Sequence, residues 1–120
     1  MTRSNSIAAI AEEVKAYRRA MHQNPGTAYE EVFASNLVAE KLGEWGIKFE
    51  RGLGKTGIVG IIEGRENTSG KAIGLRADMD ALDILEENNK DHVSKIPGKM
   101  HGCGHDGHTA MLLGAAKYLN

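Results

Sequence analysis

Ile7, Ile10, Ala11, Val14, Tyr17 and Met21 recur at steps of three and four residues, which lays one apolar stripe along a helix over roughly residues 5–22. Asn24-Pro25-Gly26 stops that helix, since proline supplies no N–H to continue the ladder. Thr27 followed by Glu30 matches a capping box, and Phe33, Leu37, Val38, Lys41 and Leu42 continue at helical spacing as far as Gly43 and Gly46. The pattern then changes. Ile47 with Phe49, the run Gly57 to Ile62, and the run Lys71 to Arg76 are short, β-rich and separated by Gly, Asn, Thr and Ser, so they read as strands. The loop from Arg65 to Gly70 is short enough for a hairpin, which predicts antiparallel pairing of the second and third strands. Residues 83–99 are polar and irregular, with Pro97-Gly98 as a turn. Thr109 to Leu119, rich in Ala, Leu and Met, predicts a last helix that Asn120 leaves uncapped, and the expectation is a truncated chain.

These elements make an α/β arrangement in which helices flank part of a mixed sheet. With 120 residues, 41% of them hydrophobic, there is material for one compact domain and its core but not for a second complete domain. The 15 basic and 16 acidic residues are scattered, so no basic face points to nucleic acid or anionic lipid. The N-terminal apolar stretch is short and interrupted by Glu12, Glu13 and Lys15, which fits neither a signal peptide nor a membrane span. The chain therefore reads as soluble and cytoplasmic, and its one cysteine suits a reducing compartment.

That cysteine lies in Met100-His101-Gly102-Cys103-Gly104-His105-Asp106-Gly107-His108, together with three of the five histidines. If residues 101–105 are extended, His101, Cys103 and His105 point to one side, and Gly102 and Gly104 leave the other side bare. A thiolate and imidazoles on one face suit zinc, cobalt or nickel, with manganese less favoured by sulfur. Asp106 could add an oxygen ligand or an outer hydrogen bond. Two other readings stand beside this one: a loop with a buried structural thiol and surface histidines, and a Cys103 nucleophile activated by a neighbouring histidine. Spacing of two along a strand suits shared coordination better than proton abstraction.

A second cluster, Arg76-Ala77-Asp78-Met79-Asp80, follows the apolar run Ala72 to Leu75. Carboxylates just past the carboxyl end of a strand are where open α/β sheets place ligand sites. Asp78 and Asp80 alternate onto one side, where both can face a metal or orient its histidine ligands. Alone, the cluster reads as a solvated strand end; beside the His/Cys segment it reads as part of the same site.

Three stretches, Arg18-Arg19 through His22 to Pro25, Gly74 to Leu82, and Met100 to Thr109, resemble successive signatures of the peptidase M20 amidohydrolases, a family that includes hippurate, N-acyl-amino-acid and auxin-conjugate hydrolases. The resemblance implies the N-terminal part of a zinc-peptidase-like catalytic domain, with the lid and dimerisation domain lying beyond residues 1–120. It implies Cys103 and His105 as metal ligands, Asp78 as a catalytic aspartate, Asp80 beside it in the acidic turn, and pocket-shaping positions for His101 and His108. It further implies two divalent ions (Zn, Mn, Co or Ni), a small N-acyl amino acid substrate, and homodimerisation of the full-length parent. Arg19 and His22 match the first signature, with helix packing as their expected role. Gly26 stands where the family usually has glutamate, and Asp83 where it usually has proline, so the backbone after Leu82 lacks that proline's fixed φ.

The implied general-base glutamate and the remaining ligands lie downstream of the last motif. Two functions follow from the sequence: part of an enzyme that cleaves the amide of N-acyl amino acids through a metal-activated water, or an inactive metal-binding or interaction module.

Overall fold

The computed structural model describes residues 3–120, with side chains from Asn5 onward. Helix α1 spans Arg3–Gln23, α2 Val32–Glu44 and α3 His105–Leu119, and strands β1 (Lys48–Leu53) and β2 (Gly57–Ile61) lie between the last two helices. No helix among the described residues is long and apolar enough to cross a membrane.

The stripe on α1 is buried at its C-terminal end, where Tyr17 and Met21 join Ala34, Ala110 and Leu113 in the core, flanked by Val14, Leu37, Val38, Trp45 and Met79. Its N-terminal end stays open to solvent, with Ile7 exposed. α1 packs closely on α3 at Gly114, where an added Cβ would sit 2.9 Å from a methyl of Val14. α1 ends as Pro25 requires, and the Asn24 side chain donates to the Ala20 carbonyl at 2.9 Å, occupying one of the helix's last free carbonyls.

The start of α2 differs from the expected capping box. Thr27 Oγ1 does donate to Glu30 at 3.1 Å, and Glu30 N–H bonds the Thr27 carbonyl at 2.8 Å. Those bonds build a turn ahead of the helix, however. Tyr29 takes a φ of 68°, which no helix interior accepts, and the first helical bond runs from Ser35 to the Glu31 carbonyl at 2.9 Å. The far end is a Schellman motif on Gly46, at φ 69°. There Ile47 N–H reaches the Leu42 carbonyl at 2.9 Å and Gly46 N–H the Gly43 carbonyl at 3.1 Å.

The antiparallel pair is β1 with β2, not the second expected strand with the third. A short turn through Gly54 and Lys55, at φ 56° and 74°, closes it, and Gly52, at φ 87°, sits in a bulge between Arg51 and Leu53. The run Lys71 to Arg76 forms no ladder among the described residues. A strand is defined by its partner's hydrogen bonds, and this segment's apolar side chains stay exposed, Ile73 at 89%.

Residues 62–104 are otherwise irregular but anchored. Ala81 N–H bonds the Gly26 carbonyl at 2.8 Å, Lys95 N–H bonds the Gln23 carbonyl at 2.8 Å, and Leu82 and Met100 form an antiparallel bridge. Asp83, in the position without proline, accepts from Lys99 Nζ at 2.8 Å, and Lys99 also reaches Thr27. The acidic turn is thus tied to the end of α1 on one side and to the His/Cys segment on the other.

Candidate metal centre

The His/Cys segment does not run as an extended strand. Gly104 turns into the left-handed region at φ 84°, and α3 begins at the next residue, His105, four residues before the start expected from Ala, Leu and Met content. Helical geometry replaces alternation as the rule that decides which side chains share a face. His105 and His108, three apart, lie on one side of the first turn, and their rings stack with centroids 5.5 Å apart. Asp106 lies on the opposite side, 1% exposed, on the face that Ala110 and Leu113 carry into the core against α1.

Asp78 meets the solvent-side pair. His108 Nδ1 donates to Asp78 Oδ1 at 2.8 Å, and His105 Nε2 stands 3.5 Å from Asp78 Oδ2. One ligand atom from each of Asp78, His105 and His108 lies within 4.8 Å of the others, the compactness a single cation needs. Thr109 Oγ1 donates to the Asp78 carbonyl at 2.7 Å and fixes the backbone beneath the carboxylate. The hydrogen bond from His108 holds the Asp78 carboxyl below the usual carboxylate range despite partial burial.

Asp80 takes the other nitrogen of His105. Nδ1 faces the Asp80 carboxylate at 2.8 Å and the Asp80 carbonyl at 3.0 Å; both are acceptors, so Nδ1 carries the proton. The Nε2 lone pair is then presented toward Asp78, as in the carboxylate–histidine–metal arrangement of natural metal sites. A hard carboxylate, two imidazoles and an outer carboxylate behind one of them make a donor set that fits a divalent metal ion.

The structure brings Asp78, Asp80 and His105 together. Cys103 is exposed and lies outside the cluster, because the Gly104 turn intervenes. His108, expected only to shape the pocket, stands in the cluster itself. His101 is buried at 4% exposure, and neither ring nitrogen finds a partner among the described residues. Burial, the largest influence, favours its neutral ring over the pull of Asp106 and Asp80.

Behind the cluster lies a buried polar network that sequence patterning did not assemble. His22 Nδ1 meets Asp106 Oδ2 at 2.8 Å, and His22 Nε2 meets Glu86 Oε2 at 2.9 Å. Arg18 Nε forms an ion pair with the same Asp106 oxygen at 2.9 Å, and Gly107 N–H donates to the other at 2.9 Å. Glu86 Oε1 accepts the Ser94 N–H at 2.7 Å, gathering the polar loop around its carboxylate.

Burial pushes the Glu86 carboxyl up, but hydrogen bonds from Asn88, His22 and the Ser94 backbone outweigh it and hold the group down to about 2. A depressed folded pKa contributes stability that is present above the unfolded value and lost as the folded carboxyl takes up its proton. The melting temperature should therefore fall as the pH drops from about 4.5 toward about 2. A Glu86→Gln variant should melt lower at neutral pH and show a flatter acid limb; parallel curves would remove Glu86 from the account.

Residues 74–120, which contain the whole cluster, match the model of peptidase family M20/M25/M40. Over those residues the chain is similar to peptidase family M20. Among its relatives, the hippurate hydrolase of Campylobacter jejuni is 48% identical over 107 residues, 89% of this chain and 27% of that protein. Thermostable carboxypeptidase 2 of Saccharolobus solfataricus is 47% identical over 116 residues, 96% of this chain and 29% of that one. The Bacillus subtilis YXEP protein, described as a dinuclear metal binding peptidase of the M20 family, superposes with a TM-score of 0.86 at 38% identity, over 93% of this chain and 31% of its own. The chain thus spans about 30% of the length of these proteins.

Proposed function

We propose that this chain supplies the first part of a dinuclear metal centre in an M20 amidohydrolase that cleaves the amide bond of N-acyl amino acids. The observation that carries the reading is the convergence of Asp78, His105 and His108 within 4.8 Å, with Asp80 fixing the tautomer of His105. Kinship with a hippurate hydrolase supports an N-acyl amino acid as substrate, since hippurate is one. Kinship with a carboxypeptidase makes a C-terminal peptide bond the nearest competing substrate.

In this reading His105 and Cys103 are metal ligands, and Asp78 is the carboxylate at the reacting centre, within reach of the same ion. Cys103 is exposed one residue before the Gly104 turn that opens α3. Divalent ions bound here supply Lewis-acid polarisation of an amide carbonyl and a water of lowered pKa. The chain's own residues do the holding. Asp80 keeps Nδ1 of His105 protonated, His108 holds the Asp78 carboxylate in place, and Thr109 pins the backbone of Asp78. The reading includes a cytoplasmic setting, supported by the exposed unpaired thiol of Cys103.

A metal-binding module without turnover is favoured by one observation. Asp78 and Asp80, the carboxylates at the cluster, are both engaged by imidazoles, which leaves neither free to take a proton from water. The test is to load the chain with zinc, cobalt or manganese and assay amino acid release from hippurate and N-acetyl amino acids. Release that a Cys103→Ala variant abolishes supports the hydrolase reading for these residues alone. Tight metal binding without release supports the module, weak binding without release fits the first part of a hydrolase site, and absence of metal binding sinks both.

A further inference from the structure

We propose that His22 is a positioning residue for the metal centre: clamped between Asp106 and Glu86, it fixes the turn of α3 on which His105 and His108 stand. The inference rests on the metal-binding reading above but is tested apart from it.

His22 is 3% exposed at the end of α1, 84 positions from Asp106. Each of its ring nitrogens faces a carboxylate oxygen, at 2.8 and 2.9 Å, so the ring satisfies both when both nitrogens donate. Arg18 Nη2 also lies 3.5 Å from Nδ1, at the limit of a bond, and the shorter carboxylate contact sets that nitrogen's role. Arg18 and a doubly donating His22 then balance the charges of Asp106 and Glu86, which a buried network requires. The ring joins three separate parts of the chain: α1, the first turn of α3, and the loop that Glu86 gathers at Ser94.

The direction of influence follows from helix geometry. Asp106 stands between His105 and His108 in sequence and points the opposite way, so its side chain fixes the rotation of the first turn about the helix axis. That turn has no side-chain cap, since its N-cap is Gly104. Asp106, held by His22 and Arg18, does the orienting that a capping side chain does elsewhere. Without it the first turn can fray, and both histidine rings move relative to Asp78, whose backbone is held by Thr109 just past that turn and whose segment is tied to the end of α1 by Ala81 N–H on the Gly26 carbonyl.

The experiment compares the full chain with His22→Ala, and with Leu42→Ala as a control that removes core packing away from the network. Ring resonances of His105 and His108 are followed by NMR without metal, and cobalt affinity is measured by titration. His22→Ala should shift or broaden both ring signals and weaken cobalt binding about tenfold, the lower end of the 10–100-fold cost of losing an outer partner of a metal ligand. Leu42→Ala should lower the melting temperature while leaving both readouts near wild type. If His22→Ala does not fold, Glu86→Gln, which keeps the side chain's shape, carries the same expectation. Ring signals unchanged in His22→Ala, or moved equally by Leu42→Ala, overturn the proposal. Cobalt binding that is absent in the wild-type chain overturns the metal reading instead, and the ring signals still decide what His22 does.

Discussion

Replacing Asp106 with alanine is expected to cost about 3–5 kcal/mol of unfolding free energy, the range for removing one partner of a buried ion pair. The carboxylate is 1% exposed, and its oxygens accept from His22 and the Gly107 N–H and pair with the Arg18 guanidinium. Alanine would leave a buried imidazole with no acceptor on Nδ1 and a positive guanidinium with no counter-charge, besides a small cavity. Asp106→Asn keeps the shape and one acceptor oxygen, so its loss should be smaller. The cost measures breaking the network, not its advantage over an apolar core, since matched hydrophobic replacements of whole buried networks are often neutral. Urea unfolding of both variants provides the check. A loss under about 1 kcal/mol for Asp106→Ala, the level of an exposed pair, would mean that water enters the network.

His105→Ala is expected to have the largest effect on metal affinity, weakening cobalt or zinc binding by more than the roughly 100-fold that loss of an outer partner can cost. His105 links the two shells of the site, with Nε2 on the Asp78 side and Nδ1 on Asp80. Its removal takes away a donor atom and leaves the Asp80 carboxylate without its imidazole. Asp80→Asn should have a milder effect, because the amide oxygen can still accept from Nδ1 if the side chain turns that way. Calorimetric titration of both variants separates them. Equal affinities for His105→Ala and the wild-type chain would move the metal site elsewhere, with Cys103 the next residue to substitute.

The sequence made the helical scaffold legible where burial has a period. Tyr17 and Met21 on α1 are buried where the apolar stripe put them, and Gly46 ends α2 through its left-handed conformation. The strand pairing was not legible, because a β-rich run such as Lys71 to Arg76 carries no record of its partner, whereas the β1–β2 turn depends on local φ values at Gly54 and Lys55. At the site, the aspartates and His105 were found from residue type and clustering. The arrangement around them was misjudged because Gly104 permits either extended or left-handed backbone, and its choice decides whether alternation or helical spacing applies. The spacing of His105 and His108 was the available signal for a helix starting at residue 105. Nothing local announced Glu86 or the partner of His22, since those contacts bridge 64 and 84 positions.

That long reach has a kinetic side. Bringing His22 to Asp106 closes most of the chain into one loop, and the entropy of closure is lost before the contact returns anything. The metal cluster stands on the turn which that contact secures, whereas the β1–β2 hairpin and the ends of α1 and α2 form from neighbours in sequence. Metal capture is therefore expected late on the way to the native chain, and an ion added during refolding should report the docking of α3 on α1.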